Sequence, residues 1–157
     1  MHLLIRPLLL LAFLPAACTT FEFADRHVTG SVEHPGDGLV IPDADSTGLS
    51  DKVQIDEDCV IVTVEVEVEI RHAWAADVSI DLLGPSNTIV RLLAAEDFDD
   101  GERDIDEVFP STFDSFGDLV DFDAEQGRGE WTLVVRDEDD EHEGRLEGWL
   151  LRLGCKN

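Results

Sequence analysis

Apolar and polar side chains alternate along residues 60–70, with Ile61 as the one exception, which is the period of a β-strand with one buried and one solvated face. The apolar set comprises Val60, Val62, Val64, Val66, Val68 and Ile70, and the polar set comprises Thr63, Glu65, Glu67 and Glu69. If this strand continues in register, His72 and Trp74 fall on its buried side.

Four further segments predict strands: residues 78–83, 88–93, 130–137 and 148–155. Between the first two, the stretch "GPSN" predicts a turn, because Pro presets φ and Asn tolerates the left-handed region. No stretch has a convincing helical period. Short strands separated by turn signals predict an all-β fold, a β-sandwich or jelly-roll barrel of mostly antiparallel strands.

The first eighteen residues resemble an export signal. Arg6 closes a short leading region, residues 8–14 are apolar, and Ala16-Ala17-Cys18 follows. The apolar run is too short for a permanent membrane span, and small residues before a cysteine resemble the bacterial lipobox. We therefore expect residues 1–18 to be a signal peptide and Cys18 to carry the lipid anchor. Ordinary cleavage with a soluble product is the alternative.

Residues 19–38 contain little apolar periodicity and three Gly residues, which predicts a tether. The domain is then expected to occupy residues 39–157. Lipidation would hold this domain at a bacterial membrane in the cell envelope, and cleavage without lipidation would release it as a secreted protein.

The charge of the chain excludes several partners. There are 11 Lys and Arg residues against 36 Asp and Glu, a formal net charge of −25. A nucleic-acid partner is excluded, because binding phosphates requires a basic surface, and electrostatic docking on anionic lipid is excluded for the same reason. Residues 96–107 carry eight carboxylates and residues 137–143 carry six. The carboxylates within such a loop repel one another unless water or cations screen their charge.

Several stretches in order resemble the P domain, also called the Homo B domain, over residues 39–154. They are "IPDADSTGLSDKVQI", "IRHAWAADVSIDLLGPSNTIVRLL", "STFDSF", "GRGEWTLVVRD" and "GRLEGWLLRL". Ala76 and Asn87 stand where the family prefers Gly, and Asn is the next best residue at positive φ. In kexin- and furin-like proteases and in many bacterial secreted proteases, this module follows the catalytic domain. The resemblance implies a β-sandwich that packs on a protease domain and supports its folding.

The resemblance implies no catalytic residues, because the nucleophile of these proteases belongs to the preceding subtilisin domain. The chain has no G-x-S-x-G sequence. We interpret His72, Trp74 and Pro85 as a structural corner, with His72 buried and hydrogen-bonded to backbone. Trp131 and Trp149, like Trp74, are expected in the core. A small hydrolase that uses His72 and a nearby carboxylate is the alternative.

The resemblance also places Asp77, Asp114 and Asp137 at acidic positions that recur in the family. Oxygen ligands near strand ends of an exported protein suit Ca²⁺, so calcium is the expected cofactor. Corner capping by Asx-type hydrogen bonds is the alternative. The stretch "DADSTG" (43–48) matches the first half of an EF-hand loop, but Gln54 stands where that loop requires Glu and no helices flank it. A turn is the better interpretation.

Three cysteines remain to be assigned. If Cys18 carries lipid, Cys59 and Cys155 form a pair, and export places them where a disulfide persists. Strand parity is an objection, since Cys59 has the opposite parity to Val60. A β-bulge or a frayed strand start would absorb this mismatch.

The sequence as a whole predicts an exported, non-catalytic binding or stabilising module. Its expected partner is a protein at the cell envelope, such as a protease. The alternative is a calcium-dependent jelly roll that binds carbohydrate or protein, and exposed coplanar aromatic residues on one face would favour it.

Overall fold

The structure is a computed structural model that describes residue 24 and residues 26–99 and 101–156. The predicted signal peptide and Cys18 lie outside the described residues. Within the described part, no helix has the length and apolar character needed to cross a membrane.

Within these residues the chain forms nine strands and two short 3₁₀ helices, at Ala75–Asp77 and Leu119–Phe122. The strands are β1 (Arg26–Glu33), β2 (Leu39–Ile41), β3 (Leu49–Ile55), β4 (Val60–Arg71), β5 (Val78–Leu83), β6 (Ile89–Leu93), β7 (Ile105–Phe109), β8 (Gly129–Asp137) and β9 (Gly144–Lys156).

Two antiparallel sheets face each other and enclose the core. One has the order β1-β9-β4-β7, with β2 pairing the first part of β9, and the other has the order β3-β8-β5-β6. Trp131, Phe109 and Phe122 are the largest fully buried side chains, and aliphatic residues from both sheets surround them. The all-β sandwich prediction is confirmed.

The long strand β4 differs from the predicted pattern at its start. Val64, Val66, Val68 and Ile70 are buried as expected, but Val60 and Val62 are only half-buried. The pairing with β9 shifts register between Ile61 and Thr63, so that a β-bulge reverses the parity. Residues before the bulge therefore bury the opposite set of side chains, Cys59 and Ile61.

The tether prediction for residues 19–38 is wrong for residues 26–33. These residues form β1, which pairs with β9 from Arg26↔Cys155 to Glu33↔Gly148. Val28 is the buried contact of this strand, and Gly30 lies against the side chains of Val53 and Ile55. The segment has weak apolar periodicity because it is a sheet edge, which needs few buried side chains.

A strand also replaces the end of the first predicted acidic loop. Residues 105–109 form β7, which pairs with β4 and buries Ile105 and Phe109. Asp106 is exposed and Glu107 half-buried on this edge strand. Charged residues on an edge strand discourage pairing with other chains, but they hide the strand from a search for alternating hydrophobicity.

Both predicted turns are present. Asn87 has a φ of 67°, and its N–H donates to the carbonyl of Gly84 at 3.0 Å, closing the "GPSN" turn. In the "DADSTG" stretch, the Asp45 side chain accepts from the Thr47 N–H at 2.8 Å, and Gly48 has a φ of 68°. A Cβ at Gly48 would overlap the Val135 carbonyl, so this position requires glycine.

The predicted disulfide is present and closes the sandwich at one end. Cys59 and Cys155 are bonded with a Cα–Cα distance of 5.2 Å across a sequence separation of 96 residues. Both residues are buried. The β4 bulge resolves the objection from strand parity, because it turns Cys59 inward towards β9.

Replacing both cysteines, as in Cys59→Ala with Cys155→Ala, should lower the free energy of unfolding by up to about 4 to 5 kcal/mol, because a loop of this length restricts the unfolded chain strongly. Urea unfolding of the mature protein measures the change. Reducing agent should destabilise the wild type but leave the double variant unchanged. Two free thiols in the mass spectrum of the unreduced protein would contradict the assignment.

Candidate functional site

The candidate site is the corner at which the chain crosses between the two sheets. Strand β4 of the five-stranded sheet ends at Arg71, residues 72–77 turn through the first 3₁₀ helix, and β5 of the four-stranded sheet begins at Val78. We call residues 72–77 the crossover corner.

Two acidic segments fasten the crossover corner through backbone groups. On one side, the Asp104 N–H donates to the His72 carbonyl at 3.0 Å, and the Ala75 N–H donates to the Glu102 carbonyl at 2.9 Å. On the other side, the Glu138 N–H donates to the Asp77 carbonyl at 2.8 Å. The acidic loops are therefore part of the corner rather than free surface segments.

His72 lies at the centre of the corner with a fully buried side chain. Its Nε2 is 2.9 Å from Oδ2 of Asp137, the last residue of β8, so the pair joins the two sheets. Its Nδ1 is 3.0 Å from the Trp74 amide nitrogen and 2.6 Å from the Trp74 carbonyl. In the neutral ring, Nε2–H donates to Asp137 while Nδ1 accepts from the amide; in the charged ring, Nδ1–H donates to the carbonyl. The predicted buried histidine bonded to backbone is present.

Gly144 makes room for this ring. A Cβ at Gly144 would overlap Cδ2 of His72, and the side chain of Ile41 closes the same space from β2. The bulge in the β4–β9 ladder between Glu69 and Ile70 brings this first residue of β9 beside His72. A side chain at position 144 would displace the imidazole from Asp137.

The two aspartates of the corner are held at an energetic cost. Burial raises the pKa of Asp137 above its usual value, although the hydrogen bond and the charge of His72 and the nearby Asp139 amide oppose this shift. Its Oδ1 atom is buried and accepts no hydrogen bond. The pKa of Asp77 is also raised, first by burial and then by the charges of Asp137 and Asp139. Both carboxylates therefore destabilise the fold when ionised.

Trp74 differs from its predicted place in the core. It is half-buried, and its ring stacks on His142 with centroids 5.9 Å apart. Trp131 and Trp149 are buried as predicted, and their indole N–H groups donate to the Gly127 carbonyl at 2.8 Å and to Asp51 Oδ2 at 3.0 Å. The three tryptophans therefore do not form a common exposed platform for a sugar ring.

The predicted site residues divide into three groups. His72, Trp74, Asp77 and Asp137 gather at the crossover corner. Pro85 lies at the other end of β5, against Gly129, roughly 20 Å along the strand, and so belongs to a different corner. Asp114 is exposed in the loop after β7, and no hydrogen bond or ion pair joins it to Asp77 or Asp137 within the described chain.

The predicted set of three calcium ligands is thus not brought together. Among the described residues, no group of three or more His, Cys, Asp or Glu side chains is arranged to hold a metal ion. Of the three predicted ligands, only Asp77 and Asp137 are neighbours. Asp137 bonds the imidazole of His72, and the Asp139 amide two residues on also lowers its pKa, while Asp77 Oδ2 lies 4.0 Å from His142 Nδ1.

Sequence reasoning missed several residues of the corner. Gly144 opens the stretch "GRLEGWLLRL", which carries part of the family resemblance but no signal that its first glycine contacts His72. Asp104, whose Oδ1 accepts from the His72 N–H at 3.0 Å, was one of eight carboxylates in its loop. No local pattern distinguishes it from the others, because its role depends on a partner 32 residues away.

The geometry does not support acid–base catalysis at His72. A general base needs a free ring nitrogen within reach of a substrate proton, but both nitrogens are engaged and the side chain is buried. Ser79, in the strand that follows the corner, donates its hydroxyl to Glu138 Oε1 at 2.6 Å. The His–Asp pair is therefore a structural clamp between the sheets.

Comparisons with known proteins agree with this architecture. Residues 61–153 match the model of the proprotein convertase P-domain family, whose members are non-catalytic accessory domains. No curated protein matches the chain.

Two similar solved structures are of a serine protease from Aeromonas sobria. The protease in complex with its chaperone has a TM-score of 0.64 and 19% identity, and the match covers 85% of this chain and 28% of the protease. For the protease alone, the TM-score is 0.61, the identity 20%, and the coverage 82% and 27%. The chain thus spans a little over a quarter of these proteases, and the likeness concerns the fold.

Asp77→Asn should raise the melting temperature at neutral pH in the presence of a chelator, because it removes a charge that burial and Asp137 disfavour. The raised pKa means that the folded protein keeps this proton to higher pH than the unfolded chain, whose carboxyl has a pKa of 3.8. The stabilisation from the protonated form is complete below pH 3.8 and is lost as the pH rises through the folded pKa.

The advantage of the variant should therefore disappear in acid, where Asp77 of the wild type is protonated too. Thermal melts at several pH values test this prediction. Asp114→Asn, the same change at an exposed position, measures the general benefit of removing one charge from this acidic chain. An equal effect of both variants would contradict the prediction.

Proposed function

Because the chain belongs to the proprotein convertase P-domain family, we propose that it is a non-catalytic module that binds and stabilises a protein partner. The observation that carries this proposal is the crossover corner. The buried His–Asp pair has both imidazole nitrogens engaged, so it holds the sandwich together rather than acting on a substrate. The binding role is proposed from family membership, whereas the contacts of His72 in the corner account for a structural role only.

The proposed partner is a subtilisin-like serine protease of the same cell. The support is the likeness to the Aeromonas sobria protease, in which the corresponding fold forms about a quarter of a larger chain. A P domain on a chain separate from the protease would bind to the surface of the protease and stabilise it. The net charge of −25 favours a partner with a basic contact surface.

We propose that this module acts in the cell envelope. The proposal rests on the leading apolar segment and the Ala-Ala-Cys stretch, with Cys18 as the lipidated residue and secretion as the alternative. The disulfide between Cys59 and Cys155 supports an oxidising compartment outside the cytoplasm.

Two measurements on the purified mature protein test the function. It should not hydrolyse fluorogenic peptides, and it should raise the melting temperature and the refolding yield of a subtilisin-like protease encoded in the same genome. His72→Ala breaks the clamp and should abolish the stabilising effect, whereas Asp114→Asn should keep it. Peptide hydrolysis that survives repeated purification but is lost in His72→Ala would show that the chain is an enzyme. An unchanged protease would exclude that partner.

A calcium-dependent binding module is the second candidate. The observation that favours it is the pair Asp77 and Asp137, two neighbouring carboxylates with raised pKa, one of which has a buried oxygen without a donor. Ca²⁺ takes about six to eight oxygen ligands, so Asp77 and Asp137 would hold it together with backbone carbonyls and waters, without Asp114. For the carbohydrate-binding form of this candidate, the described tryptophans offer no exposed platform, since Trp131 and Trp149 are buried and Trp74 stacks on His142.

Calcium should reverse the ranking of wild type and Asp77→Asn. In chelator the variant should be the more stable protein, whereas millimolar Ca²⁺ should raise the melting temperature of the wild type by a few degrees and leave the variant unchanged. Asp114→Asn should retain the response, and Mg²⁺ should substitute poorly. The melts require low and constant ionic strength, because screening alone stabilises an acidic chain. A wild type that ignores Ca²⁺ would rule the ion out.

A further inference from the structure

Three arginines converge beside the crossover corner, on a chain that is otherwise strongly acidic. Arg71, Arg103 and Arg145 line one cleft of about 310 Å³, together with Asp104 and Glu143. The whole chain has only 11 basic residues against 36 acidic ones. A cluster of three in one cleft is therefore a local exception to the acidic surface.

Two of the arginines face each other across the central ladder. Arg71 at the end of β4 is the Cα partner of Arg145 in β9. Like charges directly opposite on adjacent strands destabilise a sheet, by roughly 0.2 to 1 kcal/mol on the scale of cross-strand pairs. This arrangement opposes folding unless neighbouring negative charges compensate the two arginines.

The arginines differ in how far their charges are neutralised. Arg71 bonds Glu69 and lies 3.7 Å from Asp104, so two carboxylates compensate it. Arg145 donates to the neutral carbonyl of Asp37 at 2.8 Å and forms no ion pair within the described chain. This hydrogen bond fixes the position of the Arg145 side chain but leaves its positive charge available to a ligand.

Arg103 is the third member, and it makes no hydrogen bond or ion pair with any other described residue. Its backbone is nevertheless held on both sides. The Glu102 carbonyl accepts from Ala75, and the Asp104 N–H donates to His72. Because the backbone is already ordered, binding a ligand would require ordering only the side chain of Arg103.

The charges around the cleft limit the charge of a ligand. Three arginines line it together with Asp104 and Glu143, and Glu69, which bonds Arg71, brings the local balance to about zero. A dianion such as phosphate would in addition meet the field of a chain at −25. A single carboxylate carries less charge and matches the fork geometry of a guanidinium.

We propose that the cleft formed by Arg71, Arg103 and Arg145 binds one carboxylate group of a ligand, on a free small acid or on a polypeptide. His72 does not compete for it, because both of its ring nitrogens are engaged. The proposal concerns a surface outside the clamp and does not depend on the identity of a protease partner. The simpler alternative is that the arginines only relieve repulsion between the two acidic loops.

NMR of the arginine side-chain Nε–H groups in the mature protein tests the proposal at constant ionic strength. The probes are sodium acetate, the peptide acetyl-Gly-Glu-Gly-amide, its neutral match acetyl-Gly-Gln-Gly-amide, and inorganic phosphate. The Glu peptide or acetate should shift the Arg71, Arg103 and Arg145 resonances along one saturating curve, and the Gln peptide should not. Arg103→Gln should weaken binding about tenfold or more. Arg128→Gln, which removes an exposed charge paired with Asp58, should leave it unchanged.

Each arm has a defined consequence. Saturation by the Glu peptide but not by acetate identifies a polypeptide carboxylate, and equal saturation by acetate identifies a small acid. Tighter binding of phosphate than of either carboxylate overturns the assignment of ligand class. Resonances that do not saturate, or that move equally for Arg128, overturn the site and leave the arginines as neutralising charges for the loops.

Discussion

The rest of the structure depends on the ladder between β4 and β9. These are the two longest strands, of 12 and 13 residues, and they pair over almost their whole length. Two register shifts interrupt the pairing. The first turns Cys59 and Ile61 inward, so that the disulfide closes one end of the sheet. The second brings Gly144 beside His72 at the other end.

At that second end the two sheets are joined through side chains as well as through the chain itself. His72 follows β4 in one sheet and Asp137 ends β8 in the other, with 2.9 Å between Nε2 and Oδ2. Burying a carboxylate costs free energy that a single hydrogen bond offsets only in part, which is why the pKa of Asp137 is raised. The His72–Asp137 pair thus has a defined geometry. The buried negative charge of Asp137 is one that a cation would stabilise.

The acidic composition is distributed around this clamp in an organised way. The segments that carry the densest carboxylates are tied to the crossover corner through backbone hydrogen bonds of Glu102, Asp104 and Glu138. Between them lies the arginine cleft, the local exception to the charge of the chain. A partner of this domain would therefore meet acidic segments and an arginine cleft side by side, rather than a uniformly negative surface.

The sequence by itself determined the class of fold, the central strand and the turns. Alternation along residues 60–70, the "GPSN" turn and the pairing of two cysteines depend on local rules of strand period, φ preference and redox compartment. Periodicity did not mark β1, β2, β3 or β7, because edge strands bury few side chains and their polar residues resemble loops.

Only the tertiary structure decided which aspartates meet. Asp77 and Asp137 are neighbours because β5 and β8 pair at Val78↔Asp137, whereas Asp114 remains in a separate exposed loop. It also placed Gly144 against His72 and Arg71 opposite Arg145. Such contacts depend on strand order and on bulges, and a one-residue shift of register would exchange every inward and outward side chain. Local periodicity carries no record of that register, so it emerges only when the two sheets are closed on each other.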